Sequence, residues 1–199
     1  ARFYKNNFND KLYVSGPFEY IDGTLYSGIG VFDSLYWSPL GSGVDNSVFA
    51  MQHFNNELYI GGMFVKAGNL YNTVYIAAWD YTNWHSIDTV NQLGSYINCF
   101  ALYDNKLFIG GNFTGFSGSP WTNPYIIAWD GQNWLYVGEH QHTVYGLEVM
   151  NNVLYATSYD KVKKYLGGTE WETVGIANYY TGRLMLDSIN TFLYISGDF

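Results

Sequence analysis

The sequence predicts an all-β fold assembled from repeated four-stranded antiparallel sheets, and three observations carry that prediction. The first is composition: of 199 residues, 48% are apolar, 20% aromatic and only 13% charged, with 20 tyrosines and 22 glycines. Aromatic and β-branched side chains suit a pleated, half-buried surface, and glycines suit its turns. The second is a recurring apolar tripeptide: LYV at Leu12, LYI at Leu58, LFI at Leu107, LYA at Leu154 and LYI at Leu193, at offsets of 46, 49, 47 and 39 residues. The third is a recurring ring pair, Phe32 with Trp37, Trp79 with Trp84, Trp129 with Trp134 and Tyr165 with Trp171. A period of about 40 to 50 residues holding several short strands is the signature of β-propeller blades or related arrays.

Each repeat reads as strands a to d. In the second, VFAMQHF is strand a, Asn55 to Glu57 the turn and LYIGGMF strand b. TVYIAAWD is strand c, and Asp80 to Asn83 connect it tightly to strand d, which opens at Trp84. Asp130-Gly131-Gln132-Asn133 repeats that connection. An aspartate accepts from backbone N–H groups in such a turn, so this acid is turn chemistry rather than catalysis. At Gly61-Gly62 and Gly110-Gly111 the missing side chains let a neighbouring strand or ring approach the backbone. The repeated tryptophans are assigned to packing between sheets.

The expected blades are residues 1–43, 44–92, 93–140 and 141–176, with a half-blade at 177–199. The fifth repeat supplies only an a–b hairpin ending in SGDF, which matches GGNF. A larger ring of six to eight blades, of which this chain forms about four and a half, is therefore the expectation; a compact ring of four or five is the rival.

The glycine pair, the aromatic-Asp pair and the tryptophan opening strand d resemble the kelch-type repeat. More closely, they resemble the LYIGGxF…IAxWDGxxW repeats of secreted bacterial propeller proteins. The first repeat departs from the pattern with Ser15-Gly16. The fourth departs with Thr157-Ser158 and almost no b–c loop, which marks it as a degenerate unit. The resemblance implies a secreted or cell-surface bacterial propeller, adhesin-like or scaffold-like.

Composition excludes some partners. A formal charge of −8, with no basic run, argues against nucleic acid. No apolar stretch reaches the roughly 20 residues of a membrane span. Cys99, alone, rules out an internal disulfide framework. No phosphate loop, nucleophile elbow or distinctive carboxylate pair stands out, and no cofactor is expected.

The b–c loops and d–a connections should share one rim, where ligands bind. The b–c loops are Glu19 to Tyr26, Val65 to Thr73 and Thr114 to Pro124; the d–a connections include Gly41 to Ser47, Asp88 to Tyr96, Glu139 to Thr143 and Ala177 to Gly182. Tyr20, Tyr71, Phe116, Trp121 and Tyr179 fall in these segments and are the aromatic binding candidates, with His140 and His142 of EHQH beside them. Two imidazoles are too few for a structural metal, so none is expected. The leading expectation is a non-catalytic module binding a protein at a cell surface through rim loops, and the second a lectin-like propeller binding glycans. A third, a copper-radical oxidase resembling the galactose oxidase family, would draw on Cys99 and the tyrosines, yet that family's motif finds no match residue by residue.

Overall fold

The computed structural model describes residues 2–6, 10–71, 73, 75–87, 94–112, 124–177, 181–187, 189 and 192–197. Among these the chain is all-β, with no helix, and therefore none long and apolar enough to cross a membrane. Its strands form four antiparallel four-stranded sheets and two hairpins. The first sheet contains β1 (Arg2–Asn6), β2 (Lys11–Ser15), β5 (Ile29–Phe32) and β6 (Trp37–Pro39). A small hairpin of β3 (Tyr20–Ile21) and β4 (Thr24–Leu25) rises from the loop between β2 and β5. The second sheet contains β7 (Val48–Phe54), β8 (Glu57–Gly62), β9 (Ile76–Trp79) and β10 (Trp84–His85). The third contains β11 (Ile97–Tyr103), β12 (Lys106–Gly111), β13 (Ile126–Trp129) and β14 (Trp134–Tyr136). The fourth contains β15 (Val144–Met150), β16 (Val153–Ser158), β17 (Lys161–Gly167) and β18 (Glu170–Ile176), and β19 (Thr181–Asp187) pairs with β20 (Phe192–Gly197). In the second, third and fourth sheets neighbours in space are neighbours in sequence; in the first, β2 pairs with β5 across the small β3–β4 hairpin.

The chain divides into two compact units, 1–97 and 98–199. In the first, Tyr13 and Ile29 of one sheet pack with Leu58, Ile60 and Trp79 of the next in a single core. In the second, Phe108, Ile126 and Ala128 pack with Val144, Leu147 and Leu154 in the same way. The middle strands β9 and β13 are buried at all four positions, so both of their faces are covered. Such double burial is why IAAW and IIAW read as continuous apolar runs rather than alternating ones.

The turns follow from residue chemistry. The first two strands of the second, third and fourth sheets are joined at Asn55-Asn56, Asp104-Asn105 and Asn151-Asn152, both residues of each pair at φ between 48° and 65°. A two-residue hairpin loop of this kind needs left-handed backbone twice, which Asn and Asp tolerate. Between third and fourth strands, Asp33, Asp80 and Asp130 each accept two backbone N–H bonds at 2.6–3.0 Å, as the sequence predicts. These bonds hold their carboxyls below the ordinary range. Across each turn the two rings are direct cross-strand partners, with centroids 4.8–5.1 Å apart in all four sheets.

Gly110 bears out the close-approach reading of the doublet. A Cβ there would lie 2.5 Å from Val144 Cγ1, on the first strand of the next sheet. Ser15 and Thr157 occupy the same place in their own repeats, and their hydroxyls instead donate to Val48 O (3.2 Å) and Gly182 O (2.6 Å). The departures from the glycine pattern thus replace contact distance with a hydrogen bond to the following sheet. The fourth repeat, expected to be degenerate, has instead a complete sheet with strands of six and seven residues. In place of the loop, Tyr159-Asp160 turns the chain directly, with Tyr159 at φ 52°.

Candidate functional site

Two segments that the sequence marks as rim, Glu19 to Tyr26 and Gly41 to Ser47, face each other across a cleft of about 480 Å³ in the first unit. Pro17, Phe18, Leu25 and Val44 supply its apolar lining, and Glu19 and Asp45 its carboxylates. Among the described residues no lysine, arginine or histidine lines it. Size and mixed lining match a small-ligand or side-chain site.

The walls are held by backbone bonds. Val44 N–H donates to Ser27 O at 2.9 Å, Gly28 N–H to Phe18 O at 2.9 Å and Met63 N–H to Ser47 O at 2.9 Å. Asp45 Oδ1 accepts from Val65 N–H (2.9 Å) and Lys66 N–H (3.0 Å), and Asp45 N–H donates to Lys66 O (3.2 Å). The d–a connection is therefore laced between the b–c loops of two successive repeats, which fixes the carboxylate without a helix or sheet. Lys66 itself turns away, with Nζ 4.8 Å from the centroid of the Tyr71 ring, a cation–π distance.

A second depression of about 250 Å³ is lined by Trp79 and Trp84 of the second sheet's last two strands, together with Ser42, Asn69 and Asn83. Trp84 Nε1 donates to Leu40 O of the preceding repeat at 2.9 Å. Trp171 Nε1 does the same to Val137 O at 2.7 Å. Gly41 and Gly138, one residue after each acceptor, have positive φ, and a Cβ on either would press on the indole, at 3.3 and 3.1 Å from Cδ1. These tryptophans are committed to packing, as expected, and each also bonds a carbonyl of the preceding sheet.

The predicted site residues scatter. Tyr20 sits in the β3–β4 hairpin and is 61% exposed; Tyr71 is 78% exposed. His140 and His142 do not project together: His142 is exposed and packs on Tyr159 (4.9 Å), whereas His140 is 1% exposed, edge-on to Trp171 at 4.7 Å. Neither ring nitrogen of His140 has a partner among the described residues, and burial, then the nearby Lys163 charge, lowers its pKa to about 3. Burial likewise raises the pKa of the Cys99 thiol, which lies 3.8 Å from Gly110 O. Among the described residues no three His, Cys, Asp or Glu side chains converge as a metal would require. Phe116, Trp121 and Tyr179 lie outside the described residues. Glu19 and Asp45 were within reach of sequence reasoning, as two of the three acids, with Asp22, in two segments singled out as rim; only the backbone bonds to Asp45 reveal which acid is oriented.

These features define a protein of repeated antiparallel sheets in which a loop of the first repeat and its connection to the second wall a cleft of mixed lining. No family model matches the chain, and no curated protein matches it. Among solved structures it is similar to the extracellular domain of BT4673 from B. thetaiotaomicron, described in one crystal structure as a one component system and in another as a hybrid two component system. The first match has a TM-score of 0.66 at 13% identity, and the second 0.66 at 12%; each covers 98% of this chain and 24% of that one. The computationally designed Ika8 protein is also similar, with a TM-score of 0.61 at 13% identity over 96% of this chain and 56% of that one. The chain thus spans about a quarter of the first and just over half of the second. At these identities the likeness is one of fold.

Proposed function

We propose that this chain is part of an extracellular bacterial β-propeller of the kelch-like kind, acting as a non-catalytic binding module through its interrepeat loops. The observation that carries the reading is the cleft: loops from successive repeats build one wall-and-floor arrangement, while the repeated residues are used up in turns, ring pairs and sheet-to-sheet contacts. Each four-stranded sheet is antiparallel, and in the second and third the third strand is covered on both faces, the burial a blade needs. The likeness to an extracellular domain supports, by analogy of fold, an extracellular place. The partner in this reading is a protein at a cell surface; a glycan is the second reading, favoured by the exposed rings of Tyr20 and Tyr71 beside polar loop residues.

Peptide and glycan arrays probed with the protein, and with a Tyr20→Ser/Tyr71→Ser variant, test it. Saturable binding that weakens in the variant supports a rim module, and peptide or glycan spots then separate the two readings. Absence of binding to every probe, or binding indifferent to both loop changes, overturns it.

A further inference from the structure

Resting on that reading, we infer that the cleft between Glu19–Tyr26 and Gly41–Ser47 is the pocket for a basic side chain, lysine or arginine, presented by a polypeptide partner. The chemistry comes from how the two carboxylates are held. Asp45 spends Oδ1 on the N–H groups of Val65 and Lys66, which pins the carboxyl plane and leaves Oδ2 to a visitor. Glu19, on the facing loop, makes no ion pair among the described residues, although its backbone carbonyl is anchored by Tyr26 N–H at 2.7 Å. The lysine that could have neutralised Asp45 from next door is occupied with the Tyr71 ring. Both acids thus line a cleft to which, among the described residues, no cation contributes.

The rest of the lining selects what carries the positive charge. Pro17, Phe18, Leu25 and Val44 give an apolar wall, which suits the methylene stem of a long basic side chain while its head reaches the carboxylates. A bare metal ion would gain nothing from that wall and would need more oxygen ligands than two carboxylates give. Among the described residues no third His, Cys, Asp or Glu joins them. The charge of −8 for the whole chain adds long-range attraction for a basic partner, and it is the sign that steers one in. The volume of about 480 Å³ leaves room for the stem and the flanking backbone.

The test is an amide chemical-shift titration of the protein with three capped pentapeptides that differ only at the centre: lysine, arginine or norleucine. The expected result is saturable shifts at Gly28, Asn46 and Ser47 with the basic peptides, weakened at high salt, and none with norleucine. Glu19→Gln and Asp45→Asn should each weaken binding roughly threefold to tenfold. Asparagine retains the oxygen that Val65 and Lys66 N–H bind, so the wall survives loss of the charge. Should Asp45→Asn alter the spectrum of the free protein, Glu19→Gln, on an exposed loop, decides alone. Equal binding of norleucine, undiminished affinity in the variants, or no saturable shift with basic peptides overturns the inference. If the arrays still show Tyr20- and Tyr71-dependent binding in that event, the module reading stands and only the ligand assignment fails; loss of both removes the two together.

Discussion

His140 donates its backbone N–H to Pro124 O and sets its imidazole edge-on to Trp171, and burial there favours the neutral form. Its pKa is lowered from 6.5 to about 3. Between those values the unfolded chain binds a proton that the folded chain refuses, so stability falls as pH drops through that window. The slope from this one group is about 1.4 kcal/mol per pH unit at its steepest. Denaturation curves between pH 7 and 3 should therefore show His140→Phe, which keeps an aromatic edge against Trp171, losing less stability on acidification than the wild type. A parallel loss in both proteins would remove His140 from the account. The turn aspartates act from the acid end of this range downward: their carboxyls are depressed from 3.8, so their contribution is complete above that value and disappears as pH falls through the folded one. The indole N–H of Trp84 and Trp171 belongs to the same scale. Trp84→Phe removes one of two donors to Leu40 O, the Gly43 N–H (3.0 Å) remaining, and should cost about 0.5–1.5 kcal/mol in chemical denaturation for that bond.

Sheets meet their successors through the end of their second strand. Gly110→Ala places a methyl 2.5 Å from Val144 Cγ1 and 2.8 Å from Cys99 Sγ, and should destabilise by about 1–3 kcal/mol. In a Val144→Ala background the same change should cost less, because the obstructing methyl has gone; equal costs in the two backgrounds would refute the contact. Gly175→Ala is the control. A Cβ there meets only Val162 at 3.6 Å, and the change should stay within about 0.5 kcal/mol. Much at this scale was legible in the sequence, since hairpin turns, ring pairs and glycine approaches are set by residues a few positions apart. The hydroxyl bonds of Ser15 and Thr157 were not, because their acceptors lie 33 and 25 residues away and a serine in place of glycine reads only as a broken pattern. The left-handed backbone of Tyr75 and Tyr125, just before β9 and β13, was also hidden, since tyrosine carries no signal for φ of 68° and 53°. The cleft was legible as two segments but not as a site, since its carboxylate is oriented by amides of a loop about 20 residues downstream.

Across the whole molecule, burial rises and falls once per repeat. Leu58, Ile60, Leu107 and Ile109 have no exposed surface, whereas β10 spans two residues and β20 carries Phe192 and Tyr194 at 60% and 49% exposure. Native-state hydrogen exchange should follow that rhythm, with the amides of β8 and β12 exchanging slowest and those of β19–β20 earliest. A profile flat across the described strands would contradict it.

The unlike contacts at the ends of β2, β12 and β16 bear on a hazard common to tandem arrays. Near-identical modules can dock onto the wrong sibling while the chain is still forming, and the error is hard to undo. Here one junction closes on a serine hydroxyl, another on a bare α-carbon and a third on a threonine, so these three modules carry unlike addresses for the ones that follow. Exchanging the first and fourth modules in the gene would leave both intact and both addresses wrong.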